Sequence, residues 1–70
     1  MTDSVYKLIE LVGTSAESWE KAASVAVAKA GESLRDLRIA EVVKLDMYLN
    51  EDGSFVYRSR VTVSFKIRGD

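Results

Sequence analysis

The sequence predicts an α+β fold of the order β-α-β-β, in which one helix packs on a three-stranded antiparallel sheet. Three patterns support this prediction. Residues 5–12 are rich in Val, Ile and Leu, residues 14–35 repeat apolar side chains at steps of three and four, and residues 39–49 and 55–67 resemble two strands around a turn. Because no proline or low-complexity tract interrupts the chain, we expect residues 1–70 to form a single domain.

The first strand is predicted over residues 5–12, whose only charged side chains are Lys7 and Glu10. Gly13 is expected to end it. The pattern does not distinguish which face meets the core, because both faces are largely apolar. A strand that is apolar on both faces needs cover on both, which indicates a partner chain.

The helix is predicted to begin at Thr14, because Thr14 and Glu17 have the spacing of a capping box. It is expected to continue past Gly31 to about Arg35, since Leu34 extends the apolar stripe. Seven alanines between positions 16 and 40 indicate that the helix can lie close against a sheet. The stripe consists of Trp19, Ala23, Ala26, Ala30, Leu34 and Leu37, with Ala16 and Val27 beside it.

A hairpin is predicted to join the second strand, residues 39–49, to the third strand, residues 55–67. The turn between them, Asn50-Glu51-Asp52-Gly53-Ser54, contains a glycine suited to the left-handed position of a short loop. The third strand alternates between mostly apolar side chains at odd positions and mostly polar ones at even positions. Its odd face is therefore expected to meet the helix.

The turn also predicts which charges face each other across the hairpin. If its first and last residues pair, Asp46 lies opposite Arg58, which is favourable, and Lys44 lies opposite Arg60, which is unfavourable. Lys44 and Arg60 therefore need an anion from elsewhere. Glu10, a neighbouring subunit and a ligand are the three candidates.

The topology leaves one side of the sheet bare. A helical crossover makes strands 1 and 2 parallel, so placing strand 3 between them gives an antiparallel sheet of order 1-3-2. The helix is expected on the odd face of strands 2 and 3, and the other face has no cover. A chain of about 70 residues buries only about 60% of its unfolded surface. Since the sequence has no cysteine to form disulfides, we expect self-association.

Composition excludes several functions. The chain has no histidine and no cysteine, so it has no imidazole base, no thiolate nucleophile and no metal site built from these side chains. The formal net charge of −1 gives no overall attraction to nucleic acid or to an anionic membrane. With no membrane span, no signal peptide and no catalytic cleft, we expect a cytoplasmic protein that is not an enzyme.

Several segments resemble the dodecin family, and the resemblance covers nearly the whole chain. The most specific is the strand-to-helix segment Glu10-Leu11-Val12-Gly13-Thr14-Ser15, supported by Leu34-Arg35-Asp36-Leu37, Glu41-Val42 and Val63-Ser64-Phe65-Lys66. The resemblance implies a βαββ protomer whose sheet wraps one helix and which assembles into a hollow homododecamer. It also implies flavin binding and storage without catalysis.

The flavin site of the family is changed in this sequence. Flavin-binding dodecins place a tryptophan at the start of the second strand, where indoles from two subunits enclose a pair of flavin rings. Ile39 occupies that position here, Ala40 takes the place of the next aromatic residue, and Arg58 takes the place of a flavin-binding glutamine. Because isoleucine has no aromatic face, we expect flavin binding to be weak or lost.

A second branch of the family fits better. Ser18-Trp19-Glu20, Asp46-Met47 and Tyr57-Arg58 resemble a mycobacterial variant that lacks the stacking tryptophan and is described as calcium-binding. The alternative function is therefore a calcium-binding or purely structural assembly. Glu10 and Asp46 are weak candidates for metal ligands, because one carboxylate per subunit around a symmetry axis supplies several hard oxygen ligands.

Two further features have plain structural interpretations. Trp19 lies on the apolar stripe of the helix, so we interpret it as a core or subunit-interface residue rather than a flavin contact.

The basic side chains Arg58, Arg60, Lys66 and Arg68 could bind phosphate or nucleic acid. Because the net charge is balanced, we favour salt bridges between subunits that involve Glu41, Asp46 and Glu10.

Overall fold

The computed structural model describes residues 3–67, and its elements follow the predicted order and topology. The strands form one antiparallel sheet of order β1-β3-β2, as predicted. Arg68 lies outside the described residues. The elements are strand β1 (Tyr6–Ser15), helix α1 (Trp19–Ser33), strand β2 (Leu37–Leu49) and strand β3 (Phe55–Lys66).

The prediction that the sheet gives way to the helix at Thr14 is wrong. Strand β1 continues through Gly13, because Thr14 pairs with Arg58 and Ser15 pairs with Tyr57 of β3. Pairing with a long central strand satisfies these backbone groups, so the local capping pattern has no helix to cap.

Helix α1 begins instead at Trp19, after a short connection. The Ser18 hydroxyl caps it by accepting a hydrogen bond from the backbone N–H of Lys21 at 3.0 Å. Before the cap, the backbone N–H of Glu17 donates to the Ser15 hydroxyl at 2.9 Å. The hydroxyls of Ser15 and Ser18 therefore accept the backbone hydrogen bonds that were predicted for Thr14.

The helix ends at Ser33, two residues before the predicted end at Arg35. The backbone N–H of Leu34 closes the last turn, and Asp36 adopts a left-handed conformation with φ of 61°, which reverses the chain. Strand β2 then starts at Leu37, earlier than predicted. Within the described part of the chain, no helix is long and apolar enough to cross a membrane.

The core lies between one face of α1 and the odd positions of β3. Ala22, Ala26 and Ala30 are buried on the helix, and Val61 and Val63 are buried on the strand. Alanine at every fourth position lets the helix axis approach the sheet closely. Within the helix the stripe is as predicted with Ala22 added. Ala16 instead precedes the helix and is exposed, whereas Leu34 and Leu37 follow its end. Partly buried side chains around the core are Ile9, Leu11, Ala23, Val27, Leu34 and Leu37.

A β-bulge at Val43 changes the alternation of β2. Val42 pairs with the buried Val61, and Leu45 pairs with the buried Ser59, although an even and an odd position should point to opposite faces. The extra residue between them absorbs one step of the alternation. Both Val42 and Leu45 therefore lie on the helix side of the sheet.

The prediction that all odd positions of β2 face the helix is consequently only half right. It holds from Leu45 onward. Before the bulge, Ile39 pairs with Ser64 and Glu41 pairs with Thr62, which places both odd residues on the face away from α1. The sequence signal of this register shift is the change of the charged side chains from an odd position, Glu41, to the even positions Lys44 and Asp46.

Candidate functional site

The face of the sheet that α1 leaves bare, here called the open face, carries charged side chains in rows across the strands. Glu10 of β1 and Glu41 of β2 both pair with Thr62 of the central strand. In the next row, Lys44 lies opposite Arg60, as predicted. Cross-strand neighbours on one face have Cβ atoms about 5 Å apart. An acidic row therefore lies beside a row of two cations.

A third row contains the predicted pair of Asp46 and Arg58. The Arg58 Nε donates to Asp46 Oδ1 at 2.8 Å, and both side chains are partly exposed. The Asp46 carbonyl oxygen accepts a further hydrogen bond, from the Trp19 indole nitrogen at 3.1 Å. This residue is thus bound through its side chain to β3 and through its backbone to α1.

The three positions that the family resemblance assigns to a flavin pocket do not come together in one protomer. Ile39 lies on the open face with 66% of its surface exposed, whereas Ala40 pairs with Val63 and lies on the helix side. Arg58 is six residues along β3 from Ser64, the partner of Ile39, which is about 20 Å. One ring system can contact both Ile39 and Arg58 only where two protomers meet.

The two candidate metal ligands are also apart. Glu10 and Asp46 lie on opposite edge strands, and their partners on β3, Thr62 and Arg58, are separated by about 13 Å along the strand. Among residues 3–67, no three carboxylates cluster in the way a metal ion requires. A cation held by Glu10 or Asp46 would therefore need the same side chain from further copies of the chain.

A groove on the other side of the sheet has the size of a small-molecule site. It lies between the first turns of α1 and the bulged part of β2, has a volume of about 460 Å³, and is largely apolar. Its lining residues are Trp19, Glu20, Ala23, Val42 and Leu45. Sequence reasoning missed this groove because it depends on the bulge at Val43. The sequence feature that could have indicated the groove is the large side chain of Trp19 in a stripe rich in alanine.

Aromatic packing holds Trp19, one of the residues that line this groove, against β3. The Trp19 ring meets Tyr57 edge to face, with centroids 4.8 Å apart, and Tyr57 meets Phe55 in the same way at 5.4 Å. The carbonyl oxygen of Trp19 accepts from the buried Ser59 hydroxyl at 2.8 Å. These contacts confirm that Trp19 belongs to the packing between helix and sheet.

The hairpin turn has the predicted form and one perturbed carboxyl group. Asn50 and Ser54 pair through their backbones at 2.9 Å, and Gly53 is left-handed with φ of 93°. The Ser54 hydroxyl and backbone N–H both donate to Asp52 Oδ1, at 2.6 and 2.9 Å. These two hydrogen bonds lower the pKa of Asp52, because they stabilise the carboxylate.

The sequence as a whole matches known proteins. A family model described as dodecin matches residues 5–68. The calcium dodecin of Mycobacterium tuberculosis is 48% identical over 65 residues, which span 93% of this chain and 92% of that protein. The dodecin of Thermus thermophilus is 40% identical over 63 residues, which span 90% of this chain and 91% of that protein.

The structure matches as well. A crystal structure of a calcium-chelating immunodominant antigen, calcium dodecin, from Mycobacterium tuberculosis superposes with a TM-score of 0.86 at 46% identity, covering 96% of each chain. That protein is described as having a novel calcium-binding site. A variant of the Thermus thermophilus dodecin superposes with a TM-score of 0.87 at 37% identity, covering 96% of this chain and 100% of that one.

Proposed function

The chain belongs to the dodecin family, and we propose that it is a non-enzymatic protein that binds or stores small ligands as a hollow homododecamer. The ligand sites lie between subunits, because the residues that the family uses are separated within one protomer. The proposal treats the chain as a single domain and keeps the cytoplasmic location expected from its sequence. Its two parts, assembly and ligand choice, rest on different observations.

Assembly is supported mainly by the large surface that one protomer leaves exposed. Its accessible surface is 5326 Å², whereas a compact monomer of 7.8 kDa exposes about 4,400 Å². Its radius of gyration is 14.7 Å, against about 11 Å for a compact domain of 70 residues. Identical copies that cover one another would remove this excess surface from water.

The exposed surface is also unusually apolar. Large apolar side chains lie exposed along both edge strands, and contiguous patches of this kind mark interaction sites. Removal of apolar surface from water contributes about 25 cal/mol per Å², which must exceed the entropy cost of association. The exposed residues are Val5, Tyr6, Leu8, Val12, Val25, Ile39, Val42, Val43, Leu45, Met47, Tyr48, Leu49, Phe55 and Ile67.

Flavin binding is proposed to be weak or lost. Ile39 offers no aromatic face, and stacking contributes about 1–3 kcal/mol per ring in comparable nucleobase sites. Arg58 is a donor only, so it cannot replace an amide that both donates and accepts. Its Nε is moreover engaged by Asp46 at 2.8 Å. Loss on both sides of a flavin pair reduces affinity by a few orders of magnitude.

The alternative is a calcium-binding or purely structural assembly. It is favoured by the identity of 48% to a protein named calcium dodecin. Glu10 and Asp46 carry the hard carboxylate oxygens that calcium prefers, and rotational symmetry would bring several copies of each together. The two ligand proposals share the same assembly and differ in the bound species.

Native mass spectrometry of protein purified without added ligand tests assembly and ligand together. We expect a mass near twelve times the 7.8 kDa of one chain, with no flavin retained. Flavin added to this assembly should have its fluorescence quenched only weakly. A stable monomer would contradict the assembly, and tight quenching would contradict the role given to Ile39.

Thermal melting separates calcium from a structural assembly. If calcium binds the native assembly, calcium should raise Tm relative to a chelator by mass action, and magnesium at the same ionic strength is the control. Asp46→Asn and Glu10→Gln, made separately, would show which carboxylate is responsible. An identical Tm in calcium and chelator would leave the structural assembly as the alternative.

A further inference from the structure

We propose that the open face is a self-complementary interface, in which Glu10 and Glu41 of one protomer form ion pairs with Lys44 and Arg60 of a second copy. This inference deepens the proposed self-assembly and rests on it, because it names which surfaces meet. It commits to a second copy of the chain as the occupant of this face.

The first support is a cation pair that the fold creates and does not neutralise. The hairpin register forces Lys44 and Arg60 to lie directly opposite each other, and like charges in this position destabilise a sheet. Within residues 3–67, neither side chain makes an ion pair. The neighbouring Asp46 is already bound to Arg58 at 2.8 Å. Neither cation of this row is therefore neutralised by an ion pair within the described part of the chain.

The second support is an acidic row of equal size on the same face. Glu10 and Glu41 flank Thr62, and they too make no ion pair within the described part of the chain. Two unpaired carboxylates and two unpaired cations thus lie in adjacent rows. A twofold axis between the rows would place each acidic row over the basic row of the other copy.

The third support is the apolar surface around the rows. Leu8, Val12 and Ile39 have side chains on the same face, and 62%, 46% and 66% of their respective surfaces are exposed. Their burial would supply the affinity, because desolvation offsets much of the attraction between buried ion pairs. The ion pairs would instead fix the register and reject misaligned copies.

Charge reversal tests this arrangement, with native mass spectrometry as the readout and circular dichroism to check the fold. The double variants Lys44→Glu/Arg60→Glu and Glu10→Lys/Glu41→Lys should each lose the assembled species, since each carries four like charges on the open face. An equimolar mixture of the two, refolded together, should recover the assembly. The quadruple variant, which exchanges both rows, should assemble on its own.

A matched control reverses the charge of two lysines on the exposed surface of the helix. Lys21→Glu/Lys29→Glu changes net charge by the same amount as Lys44→Glu/Arg60→Glu and should assemble like the original chain, because neither lysine lies on the open face. Assembly of the double variants at the original level would overturn the inference. So would loss of assembly that neither the mixture nor the quadruple variant restores.

The competing explanation is that the basic row of Lys44 and Arg60 binds a free anion such as phosphate. In that case inorganic phosphate would raise Tm of the original chain and not of Lys44→Glu/Arg60→Glu, while Glu10→Lys/Glu41→Lys would assemble normally. This result would overturn the inference and leave the proposed assembly intact. A chain that is monomeric before any substitution would instead overturn the proposed assembly itself.

Discussion

Gly13 of β1 lies so close to Ala22 of α1 that a side chain has no room between them. A Cβ placed on Gly13 would lie 2.0 Å from the Ala22 carbonyl oxygen and 3.0 Å from the Ala26 Cβ. Backbone atoms cannot move aside as a flexible side chain does. The absence of a side chain at position 13 therefore sets the distance between the helix and the sheet.

Gly13→Ala should destabilise the fold by about 3 kcal/mol, the upper end for overpacking, because the whole helix must shift. This corresponds to a decrease in Tm of about 12–24 °C for a chain of this size. Gly31→Ala is the control, since its nearest neighbour would be the Leu37 Cδ1 at 3.9 Å and alanine favours a helix. Equal stability of the Gly13 variant would mean that the helix lies farther from the sheet.

Trp19→Phe should lower the free energy of unfolding by about 1 kcal/mol, the usual contribution of one hydrogen bond. Phenylalanine keeps a ring against Tyr57 but cannot donate to the Asp46 carbonyl oxygen. Urea denaturation measures the change. Tyr48→Phe, at an exposed position, controls for loss of a polar aromatic group and should leave the midpoint unchanged.

Ile39→Trp should increase flavin affinity by at least about tenfold, since an indole on the exposed Ile39 position supplies about 1–3 kcal/mol per stacked ring. Quenching of flavin fluorescence measures the affinity. Ile39→Leu is the matched control, because leucine is apolar and has no aromatic face. Equal affinity in both variants would show that more than the stacking residue separates this chain from flavin-binding dodecins.

Ser54→Ala should raise the pKa of Asp52 toward its ordinary value, because the Ser54 hydroxyl is the main cause of the decrease. A carboxyl whose pKa is lower in the folded than in the unfolded chain stabilises the fold above the unfolded pKa, near pH 4. That contribution is lost as the pH falls through the folded pKa. NMR titration of the Asp52 carboxyl carbon measures the pKa. Ser24→Ala, on the exposed helix surface, should leave it unchanged.

The hairpin was predictable because its determinants are local. A turn with Gly53 in the left-handed position fixes the pairing of Asn50 with Ser54, and side-chain alternation then carries the register along both strands. The pairs Asp46 with Arg58 and Lys44 with Arg60 follow from that one assignment. The buried odd face of β3 follows from the same alternation.

The helix start was not predictable in the same way. Thr14 and Glu17 carry a local capping pattern, but the outcome depends on β3, which is long enough to pair with Thr14 and Ser15. Tertiary pairing overrides a local preference of this size. The bulge at Val43 is similar, because no glycine or proline marks its position in β2.

The geometry of the proposed ligand site could not be predicted from the sequence. The resemblance to flavin-binding dodecins assigns Ile39 and Arg58 to one site, yet the distance of about 20 Å between them follows only from the register of β2 and β3. The groove beside Trp19 required the bulge and was missed.

The bulge also keeps the charged side chains of β2 on one face of the sheet. A strand that kept Val43 but had no bulge would place Val43 opposite the buried Val61 and Glu41 opposite the buried Val63. One additional residue thus keeps a carboxylate away from the alanines of the helix. Deletion of Val43 would preserve this arrangement, because Val42 would lie opposite Val61 in a regular strand.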